Sequence, residues 1–61
     1  MEERWAVEAR VFYNGTIITR IRTARPDEED SREETRTCEI WVDIFYDYEE
    51  AQRFHWKYRR R

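Results

Sequence analysis

Cys38, His55 and Asp43 are the one set in this 61-residue chain from which a thiol nucleophile, its base and an orienting carboxylate could be assembled. Such a set needs the imidazole within hydrogen-bonding reach of the sulfur and the carboxylate behind the imidazole. Cys38 and Asp43 hold positions of opposite parity in an alternating segment, so a strand there sends them to opposite sides of a sheet. The expected roles are therefore structural, with Cys38 a small core residue and His55 at a helix–sheet boundary. No catalytic residue is expected, and the chain is read as non-enzymatic.

A second chemistry is phosphate contact. Arg53, Lys57, Arg59, Arg60 and Arg61 crowd the C-terminal end, with Trp56 and Tyr58 between them. Basic groups hold phosphates, and aromatic rings stack on unpaired bases. The plainer alternative is a helix whose cationic end complements its dipole.

The acids Asp27, Glu28, Glu29, Asp30, Glu33 and Glu34 lack the spacing and central glycine of a calcium loop. One cysteine and one histidine make neither an internal disulfide nor a structural zinc site. No metal, cofactor or specific small-molecule ligand is expected. Asn14-Gly15-Thr16 fits the glycosylation pattern, but a tight turn explains the same residues.

Charge is segregated along the chain. Residues 1–25 carry +2, residues 26–50 carry −9 and residues 51–61 carry +5, within a net charge of −2. This argues against a uniformly basic nucleic-acid binder and leaves room for an anion-binding end. No apolar run approaches the roughly 20 residues of a membrane-spanning helix, and MEERWAVEAR has no export-signal core. A cytoplasmic protein with no membrane partner is expected.

The elements that must position these residues follow from periodicity. In WAVEARVFY (5–13), Trp5, Val7, Ala9, Val11 and Tyr13 alternate with Glu8 and Arg10, a half-buried strand. Asn14-Gly15 then leads into the β-branched TIITRIRTAR (16–25), which completes a hairpin. A three-residue loop with Gly15 left-handed pairs Val11 with Ile17, Val7 with Ile21 and Glu8 with Arg20. A two-residue turn would mix the faces.

PDEEDSREE (26–34) contains no apolar side chain and reads as a solvent-exposed connection. RTCEIWVDIFY (36–46) alternates as a third strand. DYEEAQRFHWKYRRR (47–61) reads as a helix with Asp47 as N-cap and Ala51, Phe54, His55 and Tyr58 on one stripe. The expected fold is a single small α+β domain over 1–61: two-layer β-β-β-α, a three-stranded antiparallel meander with the second strand central, packed by one C-terminal helix. A chain this short buries only about 60% of its unfolded surface, which favours covering the remainder with a partner.

The helix is expected over the face holding Trp5, Val7, Val11, Ile17, Ile21, Ile40, Val42 and Ile44. That choice leaves Phe12, Ile18, Trp41 and Phe45 exposed, with Arg10, Arg20, Arg22, Glu39 and Asp43 as a mixed-charge rim. An apolar centre inside a polar rim is interface anatomy. The expected function is a non-enzymatic interaction module that forms a homodimer or binds another protein through Phe12, Ile18, Arg20, Arg22, Trp41 and Phe45. The alternative is a nucleic-acid-binding accessory domain using Arg10, Arg20, Arg22, Arg53, Trp56, Lys57, Arg59, Arg60 and Arg61.

The order of elements, with FYDYEEAQRF at 45–54 as the strand-to-helix junction, resembles the DNA-binding modules of plant AP2 factors and phage-integrase arm-binding domains. The resemblance implies DNA contact from the exposed sheet face through Arg10, Arg20, Arg22 and Trp41. Glu8, Glu39 and Asp43 fall on the same expected face, and the glycines and basic first strand of those modules are missing.

Overall fold

The computed structural model of the chain describes residues 3–59. Its elements are β1 (Trp5–Phe12), β2 (Ile17–Thr23), β3 (Ser31–Glu34), β4 (Cys38–Phe45) and α1 (Tyr48–Arg59). All four strands form one antiparallel sheet in the spatial order β2-β1-β4-β3. The three-stranded meander is therefore corrected: the sheet has a fourth strand, and β1 and β4 occupy its centre while β2 is an edge. The layering of one C-terminal helix on one sheet face holds.

The first hairpin has the expected register, with Val11 opposite Ile17, Val7 opposite Ile21 and Glu8 opposite Arg20. Phe12 N donates to Thr16 O at 2.8 Å and Gly15 N to Phe12 O at 3.0 Å, closing a three-residue loop. Gly15 takes φ 97°, a conformation that a side chain opposes. Asn14 Oδ1 accepts from Thr16 N at 3.0 Å and fixes the turn.

The fourth strand, β3, has no apolar residue, and all four of its side chains are exposed. Backbone pairing carries it: Ser31 faces Val42, Arg32 faces Trp41 and Glu33 faces Ile40. Arg32 adds side-chain support, its guanidinium lying 4.7 Å from the Trp41 ring centroid and bonding Glu34 and Glu39, each at 3.1 Å. An edge strand of charged residues needs no alternation and discourages strand addition from outside.

Because β2 and β3 lie at opposite edges, residues 24–30 must cross the end of the sheet. Arg4 straps this crossover down, donating to the main-chain oxygens of Glu28 at 2.9 Å, Arg25 at 2.7 Å and Pro26 at 2.6 Å. Asp30 Oδ1 accepts from Ile44 N at 2.8 Å, where β3 no longer supplies a partner to β4. The segment read as a solvent-exposed connection is thus a fastened crossover followed by a strand.

Asp47 caps the helix as expected, its Oδ1 accepting from Glu49 N at 3.1 Å. Ala51 is fully buried, and Phe54, His55 and Tyr58 are partly buried on the same stripe. The helix lies over β2, β1 and β4 and leaves β3 uncovered. Trp5 meets Tyr48 edge-on at 4.8 Å, and Phe54 packs between Phe45 at 5.2 Å and Tyr58 at 5.4 Å.

Those ring contacts overturn the expected facing of β4. Its register sets Phe45 opposite Trp5, Asp43 opposite Val7, Trp41 opposite Ala9 and Glu39 opposite Val11, and directly opposed residues share a face. Trp41 and Phe45 therefore stand on the helix side, and Cys38, Ile40, Val42 and Ile44 on the other. Both faces of β4 are apolar enough to be buried; Phe45 gains by packing on Phe54 of the helix, and Trp41, on the same face, is covered by Arg32 of β3. Asp43 goes with them; burial, and then the neighbouring Asp30 charge, push its carboxyl pKa up.

Candidate interaction face

The uncovered face is a lattice of rows fixed by the sheet register. One row runs Ile18, Arg10, Ile40, Glu33 from edge to edge; the next runs Arg20, Glu8, Val42, Ser31. Phe12 and Ile44 stand at its two ends. Ile18 is 55% exposed, while Val42 and Cys38 are nearly buried at 7% and 5%. A shallow depression of about 220 Å³ lies among Glu8, Arg10, Phe12, Ile18 and Arg20.

The charges on this face are mostly spoken for. Arg20 Nε donates to Glu8 Oε1 at 2.9 Å, directly across the β1–β2 pair. Arg22 makes a two-pronged pair with Glu28 of the crossover. Arg10 and Glu33 are exposed and form no ion pair among the described residues.

The expected interface is consequently divided. Phe12, Ile18, Arg20 and Arg22 lie on the uncovered face; Trp41 and Phe45 lie on the helix side. There, Trp41 lines a groove of about 400 Å³ with Val11, Glu39, Phe54, Lys57 and Tyr58, next to the uncovered β3. Ile40, Ile44 and Glu33 are members of the uncovered face that sequence reasoning missed. Their placement depends on the β1–β4 register and on the existence of β3. The one available cue was Thr35: its Oγ1 accepts from Cys38 N at 3.1 Å and stabilises the turn between β3 and β4.

The expected nucleic-acid contacts are also divided by the sheet. Arg10, Arg20 and Arg22 are on the uncovered face, whereas Arg53, Trp56 and Lys57 belong to the helix packed on the opposite side. Arg53 lies 3.8 Å from Glu49, and Trp56 is 57% exposed. Arg59 closes the helix; Arg60 and Arg61 lie outside the described residues. The resemblance to three-stranded DNA-binding modules loses its basis, since the sheet has a fourth strand and Trp41 is not on the uncovered face.

Cys38, His55 and Asp43 do not converge. The Cys38 sulfur lies 3.4 Å from Thr35 Oγ1, Asp43 is on the other face of the same strand, and His55 Nε2 lies 3.3 Å from Thr19 O. Among the described residues, no group of three or more His, Cys, Asp or Glu is arranged to hold a metal ion, and no helix is long and apolar enough to cross a membrane. No family model matches the chain, and neither a curated protein nor a solved structure shows significant similarity to it.

Proposed function

We propose that this protein is a non-enzymatic interaction module that binds protein through its uncovered sheet face. The observation that carries the reading is the one-sided layering: α1 packs on one face of the sheet, while the other presents Phe12, Ile18, Ile40 and Ile44 among charged side chains. A partly apolar centre framed by Arg10, Arg20, Glu8 and Glu33 has the composition of a modest protein interface. The separation of Cys38, His55 and Asp43 supports a binding role over catalysis.

Site-specific photocrosslinking tests this. A photoreactive phenylalanine analogue at position 12 reports on the uncovered face, and the same analogue at position 56 reports on the exposed side of the helix. Adducts from position 12 and few from position 56 are the expected result. Equal adducts from both positions, or adducts from position 56 alone, overturn the reading.

A further inference from the structure

We infer that the occupant of the uncovered face is a second copy of this chain, packed face to face about a two-fold axis running along β4 through Ile40. The inference rests on the reading of that face as an interaction surface. It is carried by the sheet register: Arg10 on β1 and Glu33 on β3 flank Ile40 in one row, one strand to either side.

An axis along β4 exchanges left and right while preserving position along the strands. Ile40 then falls on Ile40 of the partner subunit, and Arg10 falls opposite Glu33 of the partner subunit. The same operation sets Glu33 opposite Arg10 of the partner subunit, so one residue pair yields two ion pairs. Packed sheets stand about 10 Å apart, a gap that an extended arginine and a glutamate span together. In the neighbouring row the nearly buried Val42 falls opposite its own copy and Glu8 falls opposite Ser31 of the partner subunit, while Ile44 lies beyond them, next to Glu28, Glu29 and Asp30 of the crossover. Ile18 and the Glu8-bound Arg20 lie toward the rim.

The charge pattern disfavours two neighbouring two-fold arrangements. An axis along the row itself sets Arg10 on Arg10 and Glu33 on Glu33, two like-charge contacts. An axis midway between β1 and β4 sets Arg10 over Ile40 and Glu33 over Ile18, pressing each charge against an apolar side chain. Of these three axes, only the one along β4 lets the exposed cation and the exposed anion, both without an ion pair among the described residues, neutralise each other.

Sedimentation equilibrium of the full chain over roughly two decades of concentration tests this against Arg10→Glu, Glu33→Arg and the double reversal. The substituted side chains are exposed, and circular dichroism verifies that each variant is folded. The wild type is expected to rise from monomer to dimer mass. Each single reversal should weaken the dimer by about tenfold or more, and the double reversal should restore it to within about threefold. A wild type that stays monomeric overturns the second-copy inference. A dimer indifferent to the single reversals, or not rescued by the double, overturns it as well. In either case, adducts from position 12 decide separately whether the face binds protein at all.

Discussion

Arg22 grips Glu28 through two contacts, Nη1 to Oε1 at 2.8 Å and Nη2 to Oε2 at 2.6 Å, with both side chains mostly withdrawn from solvent. Arg25 N donates to the same carboxylate at 3.1 Å. The pair ties the crossover between the two sheet edges to the end of β2. It therefore couples a run of acids, otherwise mutually repulsive, to the body of the fold.

This pair makes stability depend on acid in a defined window. Hydrogen bonding from Arg22 first, and from the Arg25 main chain, holds the Glu28 carboxyl at a pKa of about 2, below its ordinary value of 4.5. The folded state thus favours the charged form. The contribution is complete above the unfolded pKa, falls away as pH drops from about 4.5 to about 2, and has an upper bound of about 3 kcal/mol. Urea denaturation of the wild type and Glu28→Gln checks it: the variant should be about 1–3 kcal/mol less stable at pH 7, and the two should converge near pH 2. A constant difference across that range rules out the charged pair as the cause.

Thr19 offers a gain in stability. Its Oγ1 is buried without a hydrogen-bond partner among the described residues, and its position opposite Ala9 puts it on the helix side of β2. A buried hydroxyl left unsatisfied costs about 1–3 kcal/mol, and valine fills nearly the same volume with high strand preference. Thr19→Val should raise the midpoint of thermal unfolding by several degrees, on the order of 1 kcal/mol for a domain this small. An unchanged or lower midpoint means that the hydroxyl is satisfied in solution.

Legibility in the sequence followed the physics of each element. The β1–β2 hairpin was readable to the residue, because Asn14-Gly15 admits few turns and only one of them matches Val11 with Ile17 and Glu8 with Arg20. The Asp47 cap and the Ala51–Phe54–His55–Tyr58 stripe were readable for the same kind of reason, a local pattern with one good solution. β3 was hidden because Ser31–Glu34 is held by backbone pairing and by Arg32 on Trp41, neither of which produces a hydrophobic period. The facing of β4 was ambiguous because Ile40, Val42 and Ile44 compete with Trp41 and Phe45 for one helix. The uncovered face inherited that ambiguity: Phe12 and Ile18 were placed correctly by the hairpin, while Ile40 and Glu33 depended on long-range pairing.

The position of Trp41 reverses a natural expectation for its substitution. On an exposed face, Trp41→Glu would detach a partner and leave the fold intact. Trp41 instead stands on the helix side, with Arg32 against its ring and Phe54 and Tyr58 lining the same groove. Trp41→Glu should therefore destabilise the monomer by about 1–3 kcal/mol, chiefly through lost ring packing, since the new carboxylate faces Arg32 across the strand as well as Glu39 along it. Chemical denaturation checks the loss. A variant as stable as the wild type but altered in association would return Trp41 to the interaction surface.

His55 guards the free edge of β2. The pairs Phe12–Thr16 and Arg4–Ala24 are hydrogen-bonded, so by alternation the even residues of β2 bond β1 while Ile17, Thr19, Ile21 and Thr23 turn their main-chain groups outward. His55 Nε2 lies 3.3 Å from the outward Thr19 oxygen. A carbonyl only accepts, so this contact assigns the hydrogen to Nε2 and caps the middle of a β-branched edge, where strand addition from another chain would begin. Arg20 and Arg22 reinforce the protection with charge. His55→Phe keeps a ring of similar size but removes the donor, whereas His55→Asn keeps a donor on a smaller side chain. Incubated well below their unfolding temperatures, His55→Phe should form thioflavin-positive aggregate several-fold faster than the wild type, with His55→Asn in between. Equal rates for all three would assign protection of this edge to the arginines alone.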